Sequence, residues 1–255
     1  MCNLINFMKK NILNAASIAL LYFAMASCNS QKKPPVAENA EANSSQARNV
    51  EEEIIEDEPA VVYGIDLGLS VNWAECNVGA DAPQEAGVRV PYGNTNGTRL
   101  YDYDVPANIC GTIYDIAVKK MGDGWRMPTE REMVELLENC TMTTDEVDGV
   151  MGVRLTGQTG NSIFLPATGE GYNPDWDEDE PCTTIQNQGV TGAYWTGTES
   201  SAQREGLENL KKQGFEVVEK ANPVFMLFDT QKEQRQLQTS DGKRWCYSVR
   251  AVHEK

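Results

Sequence analysis

The sequence predicts an α+β domain in which two helices precede a series of short antiparallel strands. Two neighbouring segments place apolar residues at helical spacing, and several later segments are short, apolar and bounded by turn residues. Helices and strands that occupy separate parts of a chain favour an α+β fold over alternating α/β units.

Both helices have recognisable ends. Residues 112–121 (TIYDIAVKKM) are amphipathic at helical spacing, and a pair of glycines follows them. Residues 129–139 predict a second helix, because Thr129 and Glu132 have the spacing of a capping box. The intervening residues 125–127 predict an extended link.

The strand predictions follow Cys140, where the apolar pattern shortens and Gly, Asn, Asp, Thr or Pro recur between segments. The predicted strands are residues 150–156, 162–166, 193–197, 224–228 and 248–252. Residues 199–220 are charged and helix-permissive, and they are interpreted as an insertion or long loop.

The first 27 residues predict a secretory signal. Lys9 and Lys10 precede an apolar stretch at residues 12–26, which is shorter than the roughly 20 residues that a membrane span needs. Small residues occupy the two positions before Cys28, as in the lipobox of bacterial lipoproteins. Cys28 is therefore the predicted acylation site, and the alternative is an ordinary signal peptide with a chance cysteine. A start at Met8 is also compatible with this signal.

Residues 28–60 predict a disordered tether. From residue 29 onward the segment has no aromatic residue, three basic residues and eight acidic residues. Such a segment cannot bury enough apolar surface to offset its ordering entropy.

Residues 61–255 predict one domain with a core of its own, since about 195 residues suit a single domain. This part contains 17 basic and 30 acidic residues without a basic cluster. The charge pattern argues against nucleic acid as a partner.

Several blocks together resemble a known family. They are residues 66–80 (DLGLSVNWAECNVGA), Tyr114-Asp115-x-Ala117, residues 124–129 (GWRMPT) with Glu132, residues 136–141 (LLENCT), residues 160–167 (GNSIFLPA), residues 194–198 (YWTGT) and residues 248–252 (SVRAV). In this order they resemble the Fibrobacter succinogenes major paralogous domain family, which is abundant among Bacteroidetes lipoproteins. The resemblance covers residues 63–255.

The resemblance implies a C-type lectin-like fold, with two helices packed on a twisted antiparallel sheet and long loops. The lectin-like fold implies a binding protein more than an enzyme. The resemblance carries the fold further than the function, because function lies in the site and not in the scaffold. The segments 169–190 and 199–220 fall where ligand loops would sit. With Cys28 acylated, the expected location is the cell envelope, anchored in the outer membrane. Asn29 follows Cys28 and leaves the leaflet open, with the periplasmic face preferred.

The first of two expected cysteine pairings follows from the same resemblance. Cys76 and Cys140 lie inside family blocks and form the first expected disulfide. Cys110 and Cys246 form the second, which leaves Cys182 free. Structural bridges or buried thiols are favoured over reactive cysteines, because the domain has no CxxC motif.

A binding loop is predicted around residues 172–180. The candidate calcium ligands are Asp175, Asp177 and Asp179, since Ca²⁺ prefers six to eight oxygen ligands. Tyr172 and Trp176 are the candidate platforms for a sugar ring. The alternative is an acidic surface loop with one anchoring aromatic residue. The other four tryptophans of the chain are assigned to the core.

Catalysis has little support in the sequence. The single histidine, His253, offers no catalytic triad, and the chain has no Gly-x-Ser-x-Gly motif or phosphate loop. We therefore expect no required cofactor, with calcium as the one candidate ion. The expected function is recognition of a glycan or an envelope protein. A structural component of the envelope is the alternative, and an enzyme ranks third.

Overall fold

A computed structural model describes residues 64–95, 105–174, 182–232, 234–240 and 245–255. Contacts divide the chain after Glu56, and every described residue belongs to the second unit, Asp57–Lys255. This unit is a mixed α+β structure in which strands predominate, which confirms the predicted class.

The described residues form three helices, α1 (Ile116–Met121), α2 (Glu130–Asn139) and α3 (Ser201–Lys212). Thr129 caps α2 through the predicted capping box with Glu132. Helix α1 begins four residues later than predicted, because the Asp115 carboxylate accepts a hydrogen bond from Ala117 N as the N-cap.

Twelve described strands form four three-stranded sheets, and all paired strands are antiparallel. The first sheet has the order β1-β12-β2, with β1 at Asn72–Trp73, β12 at Val252–His253 and β2 at Trp125–Arg126. The second has the order β3-β4-β5, with β3 at Thr141–Val147, β4 at Val150–Thr156 and β5 at Ser162–Pro166; the third has the order β10-β9-β8, with β10 at Gln234–Thr239, β9 at Pro223–Asp229 and β8 at Thr191–Glu199. The fourth has the order β11-β6-β7, with β11 at Trp245–Cys246, β6 at Glu170–Tyr172 and β7 at Thr184–Gln186.

The strand predictions have mixed outcomes. Strands β4 and β5 match their predicted bounds, and β8 and β9 extend slightly beyond theirs. The predicted strand at 248–252 is wrong for most of its length, since Ser248 makes only an isolated bridge and regular pairing begins at Val252. Residues 199–220, interpreted as helix-permissive sequence in an insertion or long loop, are helical over Ser201–Lys212, so a long loop without a helix is wrong.

Two clusters of buried side chains form the core. In the first, Met133 and Leu136 of α2 pack with Trp73 and strand residues of β4, β5, β8 and β9. The second gathers around Trp195 and includes residues of α1. Trp73 and Trp195 are fully buried, as predicted. Trp125 and Trp245 are only half-buried but pack against the second cluster, so their assignment to the core is confirmed in part.

Hydrogen bonds of Arg250 connect the last residues of the chain to the rest of the unit. Its fully buried guanidinium donates hydrogen bonds to Asn77 Oδ1 at 2.9 Å, to Phe164 O at 2.8 Å and to the carbonyl groups of residues 74 and 75. Burial lowers the pKa of Arg250 to about 10, so it remains a cation at neutral pH. The surrounding carbonyl oxygens compensate the buried positive charge of this side chain.

Candidate ligand-binding face

The sheet β11-β6-β7 presents a face of mixed aromatic and polar side chains. Side chains alternate along a strand, and the observed register places one set from all three strands on the same face. This binding face consists of Glu170, Tyr172, Thr184, Gln186 and Trp245. All five side chains are half-buried, so each keeps part of its surface available to a ligand.

Tyr172 and Trp245 form the aromatic part of the binding face. They are direct cross-strand partners, and their ring centroids lie 5.6 Å apart with an interplanar angle of 53°. Buried Tyr247 stacks against Trp245 at 6.3 Å and contacts the core ring of Trp195 at 4.4 Å. Core aromatic residues therefore support Trp245 from behind and limit its rotation.

Glu170 supplies the carboxylate of the binding face. Asn187 Nδ2 and Thr191 Oγ1 both approach its Oε1, at 3.3 and 3.5 Å. These contacts orient the carboxylate, and within the described residues no donor reaches Oε2. Glu170 lies two residues from Tyr172 on the same strand, about 7 Å along it. An acceptor is thus fixed beside the aromatic pair.

A disulfide links β11 to the residues that precede β7. Cys246 in β11 bonds to Cys182, two residues before β7, with a Cα–Cα distance of 6.0 Å. Between them, a Cβ on Gly171 of β6 would lie 3.0 Å from Cys246 O. Glycine therefore allows β11 to approach β6 closely, and the covalent bond holds the assembled strands together.

This disulfide corrects the pairing expected from the sequence. The expected Cys110–Cys246 bridge is wrong because Cys246 is bonded to Cys182, which is therefore not free. Cys110 packs instead against β8, where a Cβ on Gly197 would lie 2.5 Å from its sulfur.

The expected Cys76–Cys140 bridge is also wrong, since both are free thiols. Cys140 belongs to the core beside α2, whereas Cys76 lines a separate cleft.

The three free thiols among the described residues are poor nucleophiles. Burial raises the pKa of Cys110 to about 12, and burial likewise raises the pKa of Cys76 and of Cys140. At neutral pH all three remain protonated, whereas nucleophilic chemistry requires the thiolate.

Of the predicted ligand residues, the structure places Tyr172 on the binding face. Trp176, Asp175, Asp177 and Asp179 lie outside the described residues, as does Cys28. The described part of the chain contains no group of three or more His, Cys, Asp or Glu side chains that could hold a metal. None of the described helices is long and apolar enough to cross a membrane.

The sequence analysis missed Trp245, Glu170, Thr184 and Gln186. They meet Tyr172 through a register that joins strands distant in the chain, and no local motif reports such a register. Comparison of the chain with models of known protein families, with curated proteins and with solved structures found no match.

Proposed function

We propose that this chain is a lipid-anchored binding protein of the cell envelope that recognises a glycan on the β11-β6-β7 face. The observation that carries the proposal is the pairing of half-buried Tyr172 and Trp245 beside an oriented carboxylate. Aromatic rings stack on the apolar faces of sugar rings, and the neighbouring carboxylate, amide and hydroxyl groups can accept or donate hydrogen bonds to sugar hydroxyls.

The architecture of the binding face supports recognition of a ligand more than chemistry on it. A disulfide, buried Tyr247 and hydrogen bonds to Glu170 hold its elements in place before a ligand arrives. Such pre-organisation reduces the entropy lost on binding. The binding face contains one carboxylate and no histidine or cysteine side chain, so we propose no catalytic role.

The proposed scaffold is a C-type lectin-like domain. Its support is the ordered series of family blocks in the sequence together with the helices and antiparallel sheets of the described unit. Acylation at Cys28 would anchor the chain in the outer membrane. An acidic tether would then separate the domain from anionic headgroups.

Calcium is the proposed cofactor candidate of this same site. The segment that carries Asp175, Asp177 and Asp179 begins shortly after Tyr172, where β6 ends. Carboxylates supplied there could add oxygen ligands for a hard cation near the sugar.

A glycan array probed with the detergent-solubilised full chain tests the proposal, first with calcium and then with chelator. For any glycan that binds, Tyr172→Ala and Trp245→Ala should each weaken affinity about tenfold, since aromatic contacts contribute on the order of 1 kcal/mol. Phe215→Ala is the matched control, because this exposed aromatic residue lies outside the sheet.

Binding that survives both substitutions, or no binding to any glycan, would refute glycan recognition on this face. The second result would favour the envelope-assembly role. A loss of binding in chelator that Asp177→Asn and Asp179→Asn reproduce would support calcium.

A further inference from the structure

The connection between β8 and β9 is an unusually large excursion. These strands are antiparallel neighbours, yet 23 residues, 200–222, join them. Connections of two to five residues are usual for such a pair. Helix α3 accounts for 12 of these residues.

The excursion is loosely attached and apolar in places. No side chain of α3 is buried, and only Gln203 and Leu207 are half-buried. Leu210, Phe215 and Val218 have exposed fractions of 42%, 61% and 86%. Amphipathic helices gain most of their stability from packing, so a partner that covers this helix would stabilise it.

A groove runs between α3 and the returning segment 219–222. Its volume is about 640 Å³, and Gly206 and Leu210 both contribute to its wall. A Cβ on Gly206 would meet no atom within 4 Å, so there is open space above this glycine. Glycine inside a helix costs about 1 kcal/mol relative to alanine, and no contact from the described residues requires it here.

The charge of the excursion differs from that of the chain as a whole. Residues 200–222 contain four basic and four acidic side chains, whereas the full chain has a net charge of −16. The side of α3 that carries Gln203, Gly206 and Leu210 has no charged residue. Two copies of this acidic chain would therefore meet here with less repulsion than their net charge alone implies.

We propose that α3 pairs antiparallel with α3 of a second copy across a two-fold axis. In a two-fold interface, a projection and its matching recess must lie on the same surface. Gly206 and Leu210 provide this pair, because they lie one helical turn apart. Leu210 of each copy fills the space above Gly206 of the other, and Leu207 borders this seam, the contact between the two α3 helices.

Photo-crosslinking of the full-length chain in cells tests this pairing. With p-benzoylphenylalanine in place of Leu210, we expect a covalent dimer whose crosslink maps to α3 of the second copy. The same photoreactive residue in place of Ile113, which is 83% exposed near α1, should give no dimer.

Gly206→Glu in the Leu210 crosslinking background should reduce the dimer at least about tenfold, because it buries an unpaired carboxylate in the seam. Lys212→Gln is the matched control: it changes the net charge by the same amount, from the side of α3 opposite Leu210, and should leave the yield unchanged. No adduct, an adduct with another molecule, or a dimer insensitive to Gly206→Glu would overturn the proposal.

Discussion

Helices α2 and α3 have similar amphipathic sequences and opposite relations to the core. Helix α2, with 10 residues, buries Met133 and Leu136 against β8 and β9, whereas α3, with 12 residues, buries no side chain. Both have a serine or threonine N-cap. Length, capping and amphipathicity therefore specify a helix without specifying burial, and the apolar side of α3 remains available to another molecule.

The largest expected difference between the helices comes from their leucines. Leu136→Ala should lower the free energy of unfolding by about 3 kcal/mol, because Leu136 is fully buried and its truncation leaves a cavity. Leu210→Ala should cost below about 1 kcal/mol, since Leu210 is already 42% exposed. Denaturant unfolding of both variants checks this contrast, and equal costs would contradict the loose attachment of α3.

A smaller loss of stability is expected when the charge of Glu132, which belongs to the capping box of α2, is removed. Burial raises the pKa of Glu132, but hydrogen bonds from Arg126 and Thr129 outweigh it and hold the pKa below its usual value of 4.5. Arg126 Nη2 lies 2.6 Å from Glu132 Oε1. Glu132→Gln should therefore cost on the order of 1.5 kcal/mol at neutral pH.

The pH dependence of that cost has a defined sign. Because the folded state lowers the pKa of Glu132, its stabilising contribution is complete above about pH 4.5 and is lost as pH falls through the lowered pKa. The stability difference between the wild type and Glu132→Gln should accordingly shrink in acid. Exposed Glu138→Gln provides the control, and an undiminished difference at low pH would exclude the ionic contribution.

The smallest expected difference concerns the caps. Thr129→Ala should reduce global stability by about 1 kcal/mol, since the capping box belongs to a helix that is part of the core. Ser200→Ala should change global stability by only a few tenths of a kcal/mol but speed amide exchange within α3, which can fray alone. Hydrogen exchange measured by mass spectrometry distinguishes local from global opening.

Local patterns predicted the elements whose stability is encoded locally. Strands β4 and β5 are short apolar segments bounded by turn residues, and α2 carries a reciprocal cap. Strand β3 was missed because its sequence TMTTDEV is polar and mostly exposed, so pairing with β4 specifies it. The end of α1 was predicted correctly, but the hydrogen bonds of Asp115 set its start.

The candidate site was predictable only at Tyr172. Its partner Trp245 lies more than 70 residues away and reaches it through the register of β11 on β6. The same register, and not the family blocks, determines which cysteines meet. When side chains are brought together by pairing of distant strands, no local stretch of sequence predicts that they meet.

The Cys182–Cys246 bond also determines when, after synthesis of the chain, the binding face is complete. Trp245 is the immediate neighbour of Cys246, so the bond fixes the backbone that presents this ring. Disulfides persist in oxidising compartments and are rare in the reducing cytosol. If the chain is exported, as proposed above, this bond would form only after export, and oxidation of the two cysteines would be the maturation step that completes the face.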